Sequence, residues 1–433
     1  MRAIFVNMSW LLLERISLIL SGIFVSIYTA RYFGPEKFGL LNYMLAIIAI
    51  VVPLVQLGAD NILFNRIARN RNSGIRLMMA SINFRRKIFL LVALPIQIWS
   101  SATQPPTLQI MMLVLLGSAY FSIQDVYKIY YDACLQSKLN TLINNIALLI
   151  SIIVRVTLVS MKFPFSWFAI PYIISSALPY IIRSILFRRN KLSTTQFTNR
   201  VTRRYVSYLL HVGLPLAISG LSIAIYTRID QIMLGNLIGK DAVGWYSAAL
   251  TLSQCWTFIP LALITSLMPG IAECRASLEQ ETYIRILYSL VVILSLPILF
   301  LIIYNADTIV GLLYGPPFEP AAGIIYICAL TSFLSVIGVI TYRSIVLFSG
   351  YKFIAIKMLF VAMVNIAMNL LLIPRYGLSG AAASTLFAEF LSSIVLNIFF
   401  RHGKVLKLQL TCFRALPKII NVIRGFYVKS HGQ

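Results

Sequence analysis

Residues 284–304 of the chain read IRILYSLVVILSLPILFLIIY. This stretch contains one charged residue, Arg285, close to its start. It is long enough to cross a bilayer as a single helix, which needs about 20 largely apolar residues. Because backbone amide and carbonyl groups must be paired inside lipid, the stretch predicts a membrane-spanning α-helix.

Further runs of the same kind lie along the chain. Hydrophobic residues make up 59% of the sequence and charged residues 12%, whereas soluble proteins have about 45–50% apolar and about 25% charged residues. The sequence therefore predicts an all-α polytopic membrane protein with about twelve transmembrane helices. The predicted spans lie near 10–32, 40–64, 87–103, 108–127, 141–161, 166–187, 207–234, 243–269, 284–304, 321–348, 353–373 and 378–400.

The basic residues indicate how the chain is oriented. There are 37 Lys and Arg against 13 Asp and Glu, which gives a formal charge of +24. Lys and Arg of membrane proteins concentrate in cytoplasmic loops. Most of them here fall in alternate loops, chiefly 65–87, 188–206 and the segment after residue 400, and only Arg31, Lys37, Lys162, Lys240 and Arg375 lie on the opposite side. We therefore expect both termini to be cytoplasmic. We expect no nucleic-acid partner, because no loop between spans can hold a folded basic module.

Neither processing nor a cofactor is predicted. The start, Met1-Arg2-Ala3, leads into an apolar run without a small-residue cleavage site, so the first helix is expected to be retained. Five Cys and three His are far apart and form no C-x-x-C pair, so the sequence suggests neither a metal site nor a disulfide framework. A nucleotide-binding G-x-x-x-x-G-K-[ST] motif is absent as well.

A short repeat suggests two related halves. Residues 34–39 read GPEKFG after the first predicted helix, and residues 239–244 read GKDAVG after the seventh. Internal repeats at equivalent positions are common in transporters. We therefore predict two six-helix lobes, 1–190 and 207–400, joined by a cytoplasmic linker at 191–206. A basic cytoplasmic tail follows at 401–433.

Apolar residues recur within that basic tail at approximately helical spacing: Leu406, Leu410, Phe413, Ile420, Ile423 and Phe426. The pattern favours one or two helices lying on the inner leaflet. A disordered basic tail is the alternative.

Several stretches carry a resemblance to a known family. They are YTARYFGPEKFGL at 28–40, QLGAD at 56–60, RIAR at 66–69, RIDQIMLG at 228–235, GWYSAA at 244–249, and Asn365 and Asn369 followed by IPRYGLSGAA at 373–382. The chain resembles Wzx-type polysaccharide flippases, MATE-like members of the MOP superfamily. This resemblance implies translocation of undecaprenyl-pyrophosphate-linked repeat units of O-antigen, capsule or a related lipopolysaccharide-type glycan across the bacterial inner membrane. It also implies alternating access, with other polysaccharide-assembly membrane proteins as further partners.

Charged residues inside the predicted spans are candidates for function, because a charge in the bilayer is costly unless it faces a protein-lined cavity. An arginine fork suits a pyrophosphate, since it binds two oxygens at once and stays protonated. Four arginines are candidates for a substrate cavity: Arg15, Arg155, Arg228 and Arg343. Glu389 and Asp60 are candidates for ion coupling, although a neutral hydrogen-bonded carboxyl explains Glu389 equally well.

Other basic residues sit near the ends of spans: Arg31, Arg183, Arg285 and Lys357. We expect these side chains to extend along apolar stems to the membrane surface. Snorkelling of this kind is also an alternative for Arg15 and Arg343.

Three functions are considered for this sequence. The first is a lipid-linked oligosaccharide flippase, the second a MATE-like exporter of small molecules, and the third a membrane glycan polymerase or ligase. An enzyme of the third kind usually needs a large external loop, and the longest external segment, 305–320, has only Asp307 and Glu319 as charges. The sequence therefore favours a transporter over an enzyme.

The orientation is testable by labelling. In a cysteine-free background, a membrane-impermeant maleimide added to intact cells should label Thr308→Cys, in the predicted external segment. It should leave Asn72→Cys unlabelled until the cells are opened. Labelling of Asn72→Cys from outside would contradict the predicted orientation.

Overall fold

A computed structural model describes residues 2–189, 199–274 and 277–418. Its α-helices are α1 Arg2–Gln56, α2 Ala59–Arg69, α3 Arg71–Thr103, α4 Pro106–Gln124, α5 Val126–Ala133, α6 Ser137–Ser160, α7 Ile170–Arg189, α8 Asn199–Leu237, α9 Lys240–Gln254, α10 Phe258–Glu273, α11 Ser277–Tyr304, α12 Ala306–Leu313, α13 Glu319–Leu347, α14 Tyr351–Ser393 and α15 Lys404–Leu410. Short 3-10 helices cover Phe165–Ala169, Pro316–Phe318, Val395–Phe399 and Cys412–Lys418. The described chain contains no β-strand.

Two of the long helices are broken at a glycine. Gly34 interrupts α1 with φ 74° and ψ 177°, and Gly377 interrupts α14 with φ 56° and ψ −126°. Glycine reaches positive φ without the steric penalty that a Cβ imposes. Pro35 follows Gly34 directly and suits the start of a helix, where its missing N–H costs no hydrogen bond. The two segments of α1 overlap the first two predicted spans, although the predicted span 40–64 continues past the end of α1 at Gln56 into α2. The two segments of α14 overlap the last two predicted spans.

The helices are long and apolar enough for a multi-span membrane protein. Within the described residues, seven helical stretches are long and apolar enough to cross a membrane, or eight when α9 and α10, which meet at 49°, count as one bent span. In this count α1 and α14 are one membrane-spanning helix each, although each is broken at a glycine. The predicted all-α polytopic class is therefore confirmed, while the exact number of twelve stays a prediction.

The chain divides into two compact units, Met1–Gly244 and Trp245–Gln433. In unit 1, α1 packs against α8 and α6, and α4 packs against α7. An aromatic core containing Tyr127, Tyr130 and Phe187 joins α5 and α7 to α2 and α3. The predicted lobes of 1–190 and 207–400 stay a prediction, and residues 190–198 of the predicted linker lie outside the described residues.

In unit 2, α13 packs against α14 and α11, and the C-terminal segment covers α11. The first part of the predicted tail is helical, as α15 and the 3-10 helix Cys412–Lys418. Val405, Leu408, Cys412 and Ala415 are buried there. Ile420, Ile423 and Phe426, which extend the predicted amphipathic pattern, lie outside the described residues.

The two copies of the glycine repeat contact each other within unit 1. A Cβ on Gly39 would lie 1.8 Å from the Lys240 carbonyl oxygen and 2.6 Å from the Gly244 nitrogen. A Cβ on Gly244 would lie 2.2 Å from the Pro35 carbonyl oxygen. Each repeat therefore supplies the glycine that lets the other repeat's backbone approach.

This contact predicts opposite effects for two alanine substitutions. Gly39→Ala should destabilise the protein by about 1–3 kcal/mol, since backbone atoms must move apart. Gly22→Ala is the matched control in α1, because nothing lies within 4 Å of its added Cβ and alanine is the better helix former by about 1 kcal/mol. Thermal unfolding in detergent should show a lower Tm for Gly39→Ala and an unchanged or higher Tm for Gly22→Ala. Equal midpoints would contradict the close contact.

Candidate functional site

The densest group of buried charges lies in unit 1 and begins at Glu14 on α1. Glu14 is 4% exposed. Its Oε1 accepts hydrogen bonds from Lys128 Nζ at 2.7 Å and from Asn144 Nδ2 at 2.7 Å. Lys128 is half-exposed, so the pair has one buried and one accessible member. The ammonium and the amide offset the cost of burying the Glu14 carboxylate.

Arg183 on α7 continues the group. Its side chain is 1% exposed and forms an ion pair with Asp125. It also donates to Asn144 Oδ1, so the Asn144 amide joins Arg183 to Glu14. Asp125 additionally accepts from the Lys128 backbone nitrogen at 3.3 Å, at the start of α5. The result is one continuous chain of polar contacts through α1, α5, α6 and α7, which we call the Glu14–Arg183 network.

The buried position of Arg183 corrects one expectation. Arg183 was expected to reach the membrane surface, yet it is paired with Asp125 and buried. Lys357 in unit 2 departs from the expectation in the same way, since it is 4% exposed and donates to the Ser392 carbonyl at 3.0 Å and to Asn397 Oδ1 at 3.2 Å. Burial with a partner replaces snorkelling wherever a neighbouring helix offers acceptors.

Asp60, a predicted coupling residue, lies in an ion pair on α2. Its Oδ1 is 2.5 Å from Arg85 Nη2. Arg85 is 2% exposed and also donates from Nη1 to the Ile123 carbonyl at 2.9 Å. The Asp60 side chain remains 41% exposed. Asp60 is therefore an accessible carboxylate that neutralises a buried guanidinium.

Arg155, a predicted cavity residue, is buried on α6. It is 4% exposed, and its guanidinium carbon lies 4.8 Å from the ring centre of Tyr172 on α7. Its Nη1 is 3.5 Å from Thr29 Oγ1 on α1, and its Nε has no hydrogen-bond partner. A buried guanidinium with an unused donor is suited to bind an anion.

The remaining predicted arginines are more accessible. Arg228 on α8 is exposed, while Asp230, two residues later, is buried. Arg343 on α13 is partly buried, and its Nη2 donates to Thr265 Oγ1 on α10 at 3.3 Å. The side chain of Arg15 lies outside the part of the chain whose side chains are described.

The predicted cavity residues belong to different units. Arg155 and Arg228 lie in unit 1, and Arg343 lies in unit 2. A single cavity lined by all of them therefore stays a prediction.

Glu389 on α14 is buried in unit 2, at 5% exposure. Its Oε1 lies 3.4 Å from where a Cβ on Gly338 would be, so the glycine of α13 leaves room for the carboxyl group. Glu389 also interacts electrostatically with the Lys357 ammonium. Unit 2 thus contains its own buried acid and base on α14.

Sequence reasoning missed most of the Glu14–Arg183 network. Glu14 was recognisable as an acid within the first span, but its partners Lys128 and Asn144 come from α5 and α6. A usable signal was present: the first six predicted spans contain acids near their predicted cytoplasmic ends, at Glu14 and Asp125, together with a basic residue, Arg183. Opposite charges at similar depth predict pairing.

Comparison with known proteins identifies the family. Residues 4–275 match the family described as "Polysaccharide biosynthesis protein". The chain belongs to this family. As predicted from the sequence, it is a relative of polysaccharide flippases with a MATE-like fold.

The similarity to curated sequences covers part of the chain. The "Probable low-salt glycan biosynthesis flippase Agl15" of Haloferax volcanii is 24% identical over 192 residues, 42% of this chain and 40% of the relative. The "Probable flippase AglR" of the same organism is 27% identical over 208 residues, 46% of this chain and 39% of the relative. The alignments thus span about two fifths of these curated relatives.

Similarity in structure extends over nearly the whole chain. A structure titled "Lipid II flippase MurJ, inward closed conformation" has a TM-score of 0.68 at 17% identity, covering 94% of this chain and 92% of that one. An inward-facing multidrug resistance MATE family transporter of the MOP superfamily has a TM-score of 0.66 at 14% identity, covering 93% and 96%. At these identities the similarity establishes the fold alone.

The Glu14–Arg183 network predicts a large stability effect. Asp125→Ala should destabilise the protein by about 3–5 kcal/mol, because it leaves a buried guanidinium without its counter-charge. Glu281→Ala is the control, since Glu281 pairs with Arg285 and Lys404 near the surface and such pairs contribute about 0–1 kcal/mol. Thermal unfolding in detergent compares the two. A Tm for Asp125→Ala equal to that of Glu281→Ala would contradict the structural role of the network.

Proposed function

We propose that this protein is a flippase for lipid-linked glycans. The observation that carries the proposal is the match of residues 4–275 to the polysaccharide biosynthesis family. The printed names of the Haloferax relatives agree with it, as does the similarity of fold to a lipid II flippase. The cargo has a lipid tail, a phosphate-containing head and a polar glycan, and a bundle of this type moves the polar part while the tail stays in lipid.

In more detail, the proposed cargo is an undecaprenyl-pyrophosphate-linked oligosaccharide repeat unit of an O-antigen or capsule, moved across the bacterial inner membrane with both termini cytoplasmic. The cationic side chains proposed to bind the pyrophosphate are Arg15, Arg155, Arg228 and Arg343. Arg155 is the strongest of these, because it is buried and keeps an unused Nε donor. A pyrophosphate oxygen supplies the acceptor that this donor lacks.

Alternating access is the proposed mechanism, with lobes 1–190 and 207–400 rocking against each other. The energy would come from an ion gradient or from removal of product, and Glu389 and Asp60 are the proposed coupling carboxylates. Glu389 interacts electrostatically with the Lys357 ammonium, so a proton or cation binding at Glu389 would weaken that attraction. We propose no catalytic residue and no cofactor. Lipid-linked oligosaccharide and membrane lipids are the proposed partners, together with other polysaccharide-assembly membrane proteins.

A MATE-like exporter of small molecules is the second candidate. The fold of the multidrug transporter favours it, with a TM-score of 0.66. The charges in the spans favour the flippase instead, because a site for cationic drugs requires carboxylates without a basic partner, whereas Glu14, Asp60 and Asp125 are each paired with a basic residue. A polymerase or ligase is the least supported function.

Transport by the purified protein tests the proposal. Proteoliposomes containing a fluorescent undecaprenyl-pyrophosphate oligosaccharide should show protein-dependent exposure of the glycan to an external lectin. Arg155→Ala should slow this step about ten- to hundredfold, the loss expected for one or two charge-assisted hydrogen bonds. Arg228→Lys should retain more transport than Arg228→Ala, since it keeps the charge. Lys352→Ala, at an exposed position, is the control and should transport normally.

Two results would contradict the proposal. Protein-free and protein-containing vesicles with equal glycan exposure would exclude a flippase. Full transport by Arg155→Ala, Arg228→Ala and Arg343→Ala at matched reconstitution would exclude the cationic binding site and leave the flippase activity in place.

A further inference from the structure

A small polar cavity lies in unit 2, between the first turns of α11 and the C-terminal segment. It has a volume of about 200 Å³ and is lined by Thr282, Arg285, Thr411, Arg414 and Ala415. One water needs about 10–15 Å³ on a comparable measure, so the cavity has room for a larger group. Two guanidinium groups in one cavity are donors suited to a phosphate. The hydroxyls of Thr282 and Thr411 already donate to the Leu278 and Lys407 carbonyls, so the guanidinium groups carry the site.

The cavity is held in shape by contacts of its own lining. Arg285 Nε donates to Thr411 Oγ1 at 3.1 Å, and Thr411 Oγ1 donates to the Lys407 carbonyl at 2.5 Å. Arg285 Nη2 lies 3.5 Å from Glu281 Oε2. These contacts orient the guanidinium while leaving Nη1 available for an acceptor. The site is therefore organised before any ligand arrives.

The charge around the cavity is positive. Glu281 is the neighbouring acid, and Lys404 Nζ lies 2.9 Å from its Oε1. Glu281 is thus shared between Arg285 and Lys404, and Arg414 adds a further positive charge. The excess of positive charge attracts an anion to this side of unit 2.

Apolar side chains beside the cavity indicate which anion it is. Leu410 is 74% exposed and Phe413 is 50% exposed, and they lie on the same segment as Thr411 and Arg414. Val405, Leu408 and Cys412 are buried, so the segment is packed onto unit 2 while its other side presents apolar and basic groups together. This combination is typical of a segment at the membrane interface.

We propose that this cavity binds the phosphate group of an anionic phospholipid, with Leu410 and Phe413 against its acyl chains. Free phosphate has the same head-group chemistry, but it gains nothing from the apolar neighbours. The site would hold the C-terminal segment at the predicted cytoplasmic leaflet and make the stability of unit 2 depend on anionic lipid. The proposal is independent of the transported cargo.

Lipid binding by the purified full-length protein tests the site. Fluorescent phosphatidylglycerol is titrated in neutral detergent, with binding followed by anisotropy. Arg414→Gln should weaken binding about fivefold, as expected when one direct contact between a guanidinium and the phosphate is lost. Lys407→Gln is the matched control, because it removes the same charge from an exposed position on the same segment outside the cavity lining. It should change binding less than about twofold, since a charge without direct contact is screened by solvent and salt.

A second variant and three competitors complete the experiment. Arg285→Gln removes the other guanidinium of the lining, and it should also weaken binding about fivefold. Unlabelled phosphatidylglycerol should displace the probe, while phosphatidylcholine and millimolar inorganic phosphate should not. All variants are compared at equal Tm and gel-filtration profile in lipid-free detergent, so that misfolded protein is excluded.

Four outcomes would overturn the proposal. Unchanged binding by Arg414→Gln would exclude the cavity, and an equal loss in Lys407→Gln would indicate diffuse attraction by the basic segment. Displacement by phosphatidylcholine would indicate apolar contact alone. Displacement by inorganic phosphate would indicate a site for a free anion. None of these results bears on glycan transport, which is measured separately.

Discussion

The backbone contact between the two glycine repeats is the constraint on which unit 1 depends. Gly39 approaches the Lys240 carbonyl and Gly244 approaches the Pro35 carbonyl, at distances that leave no space for a side chain. The first of these contacts is made by α9, and a second of the same kind is made by α8, where a Cβ on Gly213 would be 2.6 Å from the Leu57 carbonyl oxygen. Close glycine contacts let helices pack without a large apolar side chain between them, which matters in lipid, where no hydrophobic effect drives helices together. The course of α8 along α1 follows from these contacts.

The Glu14–Arg183 network depends on the close packing of the helices in unit 1. Once α1, α5, α6 and α7 are close together, each buried charge needs a partner from a neighbouring helix. Glu14 and Asp125 supply the negative charges, Lys128 and Arg183 supply the positive ones, and Asn144 joins the two pairs. Arg155 differs because it has an aromatic ring and a distant hydroxyl but no carboxylate. The two arginines differ in their counter-charge, since Arg183 is paired with Asp125, while the Nε atoms of both have no hydrogen-bond partner. This difference is the reason why Arg155 rather than Arg183 is proposed to bind substrate.

Unit 2 also contains a buried charge, Lys357, but its partners are mainly neutral groups. Lys357 is satisfied by a backbone carbonyl and by Asn397, with Glu389 nearby. A buried ammonium surrounded mainly by neutral acceptors responds more to a change on one acid than a fully paired charge does. At its surface, unit 2 carries basic and apolar side chains on the C-terminal segment. Coupling and lipid contact would thus occupy separate parts of one unit.

The sequence by itself determined the class of the protein, the approximate positions of the spans and the family, because these depend on local hydropathy and on motifs that are contiguous in the chain. It also located Gly34 and Gly377 within two of those motifs. Only the tertiary structure decided which charged side chains are buried and which residues they pair with. Whether Arg183 snorkels or pairs depends on Asp125, which is 58 positions away in the sequence, and whether Lys357 is buried depends on Asn397 and Ser392 across a helix break. Glu14, similarly, has its partners 114 and 130 positions away. Hydropathy measures the cost of placing a charge in lipid, but the compensation comes from side chains that only the packed helices bring together.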